Sequence, residues 1–171
     1  GQDTIFGGSG ADLIFGGSGD DLLTGGLNNL SDGIDTIHGG DGNDSITGNW
    51  QTDELHGDAG NDIFFVSDVD NADHIDGGTG DDTLDLTGYT GGGSALVTVD
   101  LVAAIFSQDF GISTVDGSVV RVENVLGSDQ DDDFFGDDGD NSLTGSWGDD
   151  LLVGGAGNDT LEGGADNDTI E

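Results

Sequence analysis

The chain has 171 residues, of which 35 are glycine, and it contains neither proline nor cysteine, which excludes disulfide bonds. Its 37 acidic residues face a single basic residue, Arg121, which leaves a formal net charge of −36 at pH 7. A chain with so much charge of one sign stays unfolded unless a cation neutralises it. One arginine argues against nucleic acid as a partner, and no apolar run is long enough for membrane insertion.

A nine-residue pattern opens the chain and recurs up to residue 85. It reads Gly-Gly-x-Gly-x-Asp-x-apolar-x and is most regular at residues 39–47. Two departures interrupt it: an insertion at residues 27–32, and a unit at residues 66–76 that has lost its glycines. We therefore assign residues 1–85 to a first repeat block.

Residues 86–126 break the pattern and form a predicted linking segment. They include a glycine-rich turn at residues 91–93. Alternation of apolar residues predicts a half-buried strand at residues 97–101, and residues 119–125 are a second strand candidate. Between these two strands, we expect residues 103–117 to have little regular structure.

The repeat returns in residues 127–171, the predicted second block. In each unit, glycines at the first, second and fourth positions permit positive φ angles and a tight bend. The last three positions form a short strand whose central, eighth-position side chain points into a core. One unit is then half of a flattened coil, and two units complete a turn with a parallel sheet on each face.

The sixth position carries a carboxylate beside backbone carbonyls that the glycine bend turns inward. Oxygen ligands of this kind suit Ca²⁺, which takes about six to eight of them. Because loops on the same side lie two units apart, neighbouring loops are expected to share each ion, and roughly ten ions would fit. In the first block one edge is expected to stack Asp3, Asp21, Asp44, Asp62 and Asp82, and the other Asp12, Asp35, Asp53 and Asp73. In the second block one edge is expected to stack Asp132, Asp150 and Asp168, and the other Asn141 and Asp159.

Some second- and fourth-position glycines are candidates for ligation through the backbone carbonyl. They are Gly8, Gly10, Gly17, Gly19, Gly40, Gly42, Gly78, Gly80, Gly155 and Gly157. Gln51 and Gln130 stand where the fourth glycine takes positive φ, so the loops ending at Asp53 and Asp132 are expected to be less secure. Asp166 is better tolerated at that position, and Asn141 is a weaker ligand than a carboxylate.

The motif resembles that of the RTX, or haemolysin-type calcium-binding, repeat family. Residues 39–47, 77–85 and 154–162 match it closely, and residues 97–101 and 122–125 look like the linking segments between RTX blocks. The resemblance implies an all-β fold, a parallel β-roll or right-handed β-solenoid, here with an irregular β linking segment. It also implies secretion from bacteria in an unfolded state through type I machinery, with folding outside the cell.

These features favour a calcium-folded structural segment of a larger secreted or cell-surface bacterial protein, such as an adhesin, surface-layer protein or toxin. The rest of that parent polypeptide would be its partner. One alternative is a calcium-dependent accessory module of a secreted enzyme such as a protease, lipase or polysaccharide epimerase. Another is a module that binds extracellular carbohydrate. The chain has no common catalytic motif, so we do not expect it to be an enzyme and assign no catalytic residue.

Overall fold

The computed structural model of the chain describes residues 1–26, 33–66, 73–89, 96–109 and 114–171. The insertion predicted at residues 27–32, the glycine-rich turn at 91–93 and the centre of the irregular unit, 67–72, lie outside the described residues. Within the described part, no helix is long and apolar enough to cross a membrane.

The described residues form eighteen short strands that follow one another along the chain. The first nine are β1 Thr4–Gly8, β2 Leu13–Ser18, β3 Leu22–Gly26, β4 Thr36–Asp41, β5 Ser45–Thr47, β6 Glu54–Ala59, β7 Ile63–Phe65, β8 His74–Asp76 and β9 Thr83–Asp85. The others are β10 Leu96–Asp100, β11 Ile105–Asp109, β12 Thr114–Val120, β13 Asn124–Leu126, β14 Asp132–Phe135, β15 Ser142–Trp147, β16 Leu151–Val153, β17 Thr160–Ala165 and β18 Thr169–Ile170.

Successive strands of the repeat alternate between two sheets. One sheet has eight parallel strands in the order β1-β3-β5-β7-β9-β13-β15-β17. The other has ten strands in the order β2-β4-β6-β8-β12-β11-β10-β14-β16-β18. The chain thus winds as a β-solenoid of about seven turns, and the predicted all-β parallel β-roll is confirmed.

Eighth-position side chains fill the space between the two sheets. In the first sheet Leu23 is aligned with Ile46, and in the second Ile37 is aligned with Leu55. These four side chains are completely buried, and burying each one stabilises the fold by about 1.5–3 kcal/mol. At the last strand Ile170 is 51 % exposed. The buried apolar residues of both blocks and of the linking segment form one cluster.

The linking segment is more regular than its sequence predicts. The strand expected at residues 97–101 is confirmed as β10, with Val97 and Val99 buried. The expectation of little regular structure at residues 103–117 is wrong for residues 105–109 and 114–117, because β11 pairs antiparallel with both β10 and β12. Residues 110–113 lie outside the described residues. The sequences of β11 and β12 lack simple alternation, and backbone hydrogen bonds to neighbouring strands define their structure.

The second strand candidate, residues 119–125, is divided between the two sheets. Val119 belongs to β12, which pairs with β8, whereas Val125 belongs to β13, which pairs with β9 and β15. Arg121 lies between them with φ of +52°, and this left-handed residue turns the chain from one sheet to the other. The linking segment therefore pairs with strands of both blocks. The division at residues 85/86 and 126/127 stays a prediction.

Candidate metal sites

Sixth-position carboxylates form a ladder along one edge of the roll. Asp44 shows the arrangement: its Oδ1 accepts a hydrogen bond from the backbone NH of Asp21 at 2.8 Å, and its own NH donates to Oδ1 of Asp62 at 2.8 Å. The same bond joins Asp3 to Asp21 and Asp62 to Asp82. Each carboxylate after Asp3 is thus fixed by the loop of the preceding turn, and all five members of the predicted stack lie in the expected order.

The remaining predicted stacks have the same hydrogen bonds. On the other edge of the first block they join Asp12, Asp35, Asp53 and Asp73 in sequence, at 2.8–2.9 Å. In the second block they join Asp132, Asp150 and Asp168, and they join Asn141 to Asp159. The structure therefore brings together every neighbouring pair that the sequence predicts, while ligation of metal by these residues stays a prediction.

The second carboxylate oxygen in several of these loops has no partner among the described residues. This is true of the buried Oδ2 atoms of Asp12, Asp21, Asp44, Asp62, Asp82 and Asp150. A buried polar group without a hydrogen bond destabilises a folded protein by about 1–3 kcal/mol, and an ionised oxygen costs more. A bound cation would remove that cost, so these oxygens fit a hard divalent ion.

First-position glycines allow backbone carbonyls to approach these oxygens. A Cβ added to Gly16 would lie 2.6 Å from Oδ2 of Asp21 and 2.6 Å from the carbonyl oxygen of Gly39, one turn further on. No side chain fits there. The expectation that first-position glycines take positive φ is wrong, because positive φ in the regular units falls at the second and fourth positions. The first position needs glycine for space, whereas the positive φ of the other two favours glycine without requiring it.

All ten glycines predicted to present carbonyl ligands have positive φ, between +91° and +148°. A metal site in these loops would need carbonyl ligands, because the described residues contain no group of three or more His, Cys, Asp or Glu side chains arranged to hold a metal ion. Two stacked carboxylates alone fall short of the six to eight oxygens that calcium takes. The backbone carbonyls of the glycine-rich bends are further oxygens that these loops offer.

The two loops that carry glutamine at the fourth position differ in their backbone conformation. Gln51 adopts φ of +87° and so keeps the glycine conformation, as does Asp166 at +82°. Gln130 lies outside the positive-φ range, and its loop closes on itself. The backbone NH of Ser128 donates to the Asp132 carboxylate at 2.8 Å, and the Ser128 hydroxyl donates to it at 3.2 Å. The Asp132 carboxylate is thus already hydrogen-bonded within its own loop.

A second ladder, at the fifth position, was not predicted from the sequence. The NH of Asn43 donates to Oδ1 of Asp20 at 2.9 Å, and the NH of Asn61 donates to Oδ1 of Asn43 at 2.8 Å. Equivalent bonds join Asp131 to Asp149 and Asp140 to Asn158. The sequence contains a signal for this second ladder, because Asn or Asp recurs at the fifth position of many units. This ladder holds neighbouring loops at a fixed separation beside the carboxylates.

Burial raises the pKa of the stacked carboxyl groups. Removal from water is the largest cause, and it raises the pKa of Asp62 from 3.8 to about 7 and that of Asp82 to about 6. The backbone hydrogen bond from the preceding turn lowers each pKa, whereas neighbouring carboxylates raise it. The pKa of Asp132 rises to about 7 and that of Asp150 to about 6, again mainly through burial. The stacked carboxyl groups therefore favour binding of a proton or of another cation.

We expect the calcium-free chain to gain β-structure as the pH falls from about 8 to about 5. The folded-state pKa of Asp62 lies above its unfolded value, so the folded form binds the proton more tightly. This stabilisation is complete below 3.8 and is lost as the pH rises through about 7. Circular dichroism in a chelator, at constant ionic strength, would measure it. Asp62→Asn should reduce the pH dependence, and a calcium-free chain that loses β-structure on acidification would contradict the expectation.

Comparison with known proteins agrees with this geometry. A family model for the RTX calcium-binding nonapeptide repeat, which spans four copies of the repeat, matches residues 1–29, 31–64, 69–88, 126–161 and 144–171. Comparison with curated proteins gives no match. The family matches cover most of the chain, and RTX repeats bind calcium. The chain therefore belongs to the RTX calcium-binding nonapeptide-repeat family.

Proposed function

We propose that this roll is folded by calcium outside the cell and serves as a structural, stabilising segment of a larger secreted bacterial protein. The observation that carries the proposal is a set of six buried Oδ2 atoms that have no hydrogen-bond partner in the described part of the chain. They are stacked along the edges of a chain with a net charge of −36. When bound, calcium supplies the positive charge that these edges lack. We infer that cation binding is a condition for folding.

The arrangement of the loops supports one set of ligands for each ion. Each pair of same-side loops would contribute its sixth-position carboxylates, and the glycine-rich bends would contribute backbone carbonyls. On this basis roughly ten ions would fit along the two edges. The free energy of binding is then also free energy of folding, because the unfolded chain has no preformed site.

The affinity expected for calcium sites of this kind supports a location outside the cell. Calcium sites in extracellular modules have dissociation constants of about 10⁻⁴–10⁻³ M, well above cytosolic calcium. A chain with sites of this kind would stay an acidic coil during export and fold on release. RTX repeats are typical of secreted bacterial proteins, which supports the same location.

The role within the parent protein is also a proposal. A rigid roll suits a spacer or stabilising segment of an adhesin, surface-layer protein or toxin. It would serve equally as the calcium-dependent accessory module of a secreted enzyme, and the sequence flanking the roll would distinguish the two. Binding of extracellular carbohydrate is a further alternative, which a glycan array in the presence of calcium would test.

Circular dichroism is expected to show coil in a chelator at neutral pH and β-structure after addition of millimolar calcium. Magnesium at the same concentration is the control, because it demands a small octahedral site and gives up its water reluctantly. It should leave most of the chain unfolded. A chain that is already folded in the chelator at neutral pH would contradict calcium-dependent folding.

A further inference from the structure

The turn between β12 and β13, residues 121–123, lies where strands of the two blocks meet and is called the junction below. It is unusually short. The loop from β8 to β9 spans residues 77–82, as in a regular repeat, but only residues 121–123 separate β12 from β13. Both loops lie on the same edge, because β12 pairs with β8 and β13 pairs with β9. The junction therefore stacks a three-residue turn on a regular six-residue loop.

Glu123 continues the carboxylate ladder across this junction. The backbone NH of Asp82 donates to Oε2 of Glu123 at 2.9 Å, in the same way that the NH of Asp62 donates to Oδ1 of Asp82 at 2.8 Å. The additional methylene of glutamate compensates for the shorter turn. Glu123 also contacts the second block, because its carbonyl accepts a hydrogen bond from the NH of Ser142 at 3.0 Å.

In regular loops an aspartate Oδ2 and a backbone carbonyl oxygen lie beside the first-position glycine. The same two kinds of oxygen lie together at the junction. A Cβ on Gly57 would overlap Oδ2 of Asp62 and the carbonyl oxygen of Gly77. A Cβ on Gly77 would likewise lie 2.6 Å from Oδ2 of Asp82 and overlap the carbonyl oxygen of Arg121. Arg121 thus supplies the carbonyl that a repeat glycine supplies elsewhere.

The charge at this junction is not balanced by the protein. Asp82 is 1 % exposed, and its Oδ2 has no hydrogen-bond partner among the described residues. The guanidinium of Arg121 pairs with Asp76 on the outer face of the second sheet. The single basic side chain of the protein is therefore engaged elsewhere, and the carboxylates of Asp82 and Glu123 approach one another without it.

We propose that a calcium ion binds between Asp82 and Glu123, with the Arg121 carbonyl as a further ligand, and that this site joins the two repeat blocks. The motif does not predict it, because residues 121–123 contain no glycine and no sixth-position aspartate. The site rests on the proposed calcium-dependent folding. It makes the first edge a continuous column of sites and couples the folding of one block to that of the other.

Native mass spectrometry at saturating calcium would test the junction site through Glu123→Gln. Glutamine keeps a side-chain oxygen that can accept the Asp82 NH, but it removes the charge. We expect one calcium ion fewer per chain than in the wild type and a calcium titration that is less cooperative. Glu162→Gln is the matched control, because Glu162 is exposed at a ninth position, and its ion count should equal that of the wild type.

An unchanged ion count in Glu123→Gln would overturn the junction site and leave calcium-dependent folding intact. A wild-type chain that binds no calcium would overturn the proposed function itself. If Glu123→Gln does not fold at saturating calcium, Glu123→Ala decides, because alanine removes the side-chain oxygens without placing a new polar group in the turn. A folded alanine variant that binds one calcium ion fewer would support the site, and one that keeps the full ion count would overturn it.

Discussion

Asp44→Asn is expected to raise the calcium concentration at half-folding by about tenfold or more, which is the scale of changes close to a bound metal. Asp44 lies in the middle of its stack, bonded to Asp21 on one side and Asp62 on the other. Its Oδ2 is buried and has no hydrogen-bond partner within the ranges that the structure describes. Asparagine keeps an oxygen that can accept the Asp21 NH, so the loss would reflect the missing charge in two neighbouring sites.

Asp138→Asn is the control for this change. It removes the same charge from an exposed third position, so the calcium midpoint should stay close to that of the wild type. Calcium titrations followed by circular dichroism would compare the three proteins. Equal midpoints for Asp44→Asn and Asp138→Asn would show that charge at the sixth position has no special part in binding, and the proposed ligand set would then fail.

The spacing of the repeat was sufficient to predict which strands pair. The sequence predicted that units two apart lie side by side. The structure accordingly aligns Ile37 with Ile14 on one side and with Leu55 on the other. The first pair is separated by 23 residues, because the sequence between them contains the insertion at 27–32, yet the register is unchanged. The eighth position must remain in the core, so the added residues do not shift the pairing. For the same reason the order of the carboxylate stacks was predictable.

The linking segment was less predictable because its structure depends on distant partners. β11 has no alternating pattern, and its conformation is determined by antiparallel pairing with β10 and β12. Glu123 was missed as a member of the ladder, because its turn has half the usual length and no glycine. Only the register of β13 against β9 places Glu123 beside Asp82. Sequence periodicity cannot reveal a residue that occupies a position through pairing alone.

Gly60→Ala is expected to destabilise the calcium-bound roll by at least ~2 kcal/mol, since an alanine in a left-handed conformation alone costs about 1–2. Gly60 is a fourth-position glycine with φ of +137°, and a Cβ there would overlap the carbonyl oxygen of Gly42 in the preceding turn. That carbonyl would have to move. Because Gly42 is a candidate ligand, calcium affinity should fall together with stability.

Gly139→Ala is the matched control for Gly60→Ala. Gly139 occupies the same position of its own unit, but its φ lies outside the positive range and the nearest atom to an added Cβ is Oδ1 of Asp137, at 3.1 Å. That oxygen belongs to a side chain that can adjust, so the change should stay within about 0.5 kcal/mol. Urea unfolding at saturating calcium would measure both variants. Similar losses would mean that the fourth position needs glycine for a reason other than φ and the approach of the neighbouring turn. A large loss of stability in Gly60→Ala alone would show that the fourth position requires glycine where its φ is positive and the neighbouring turn lies close.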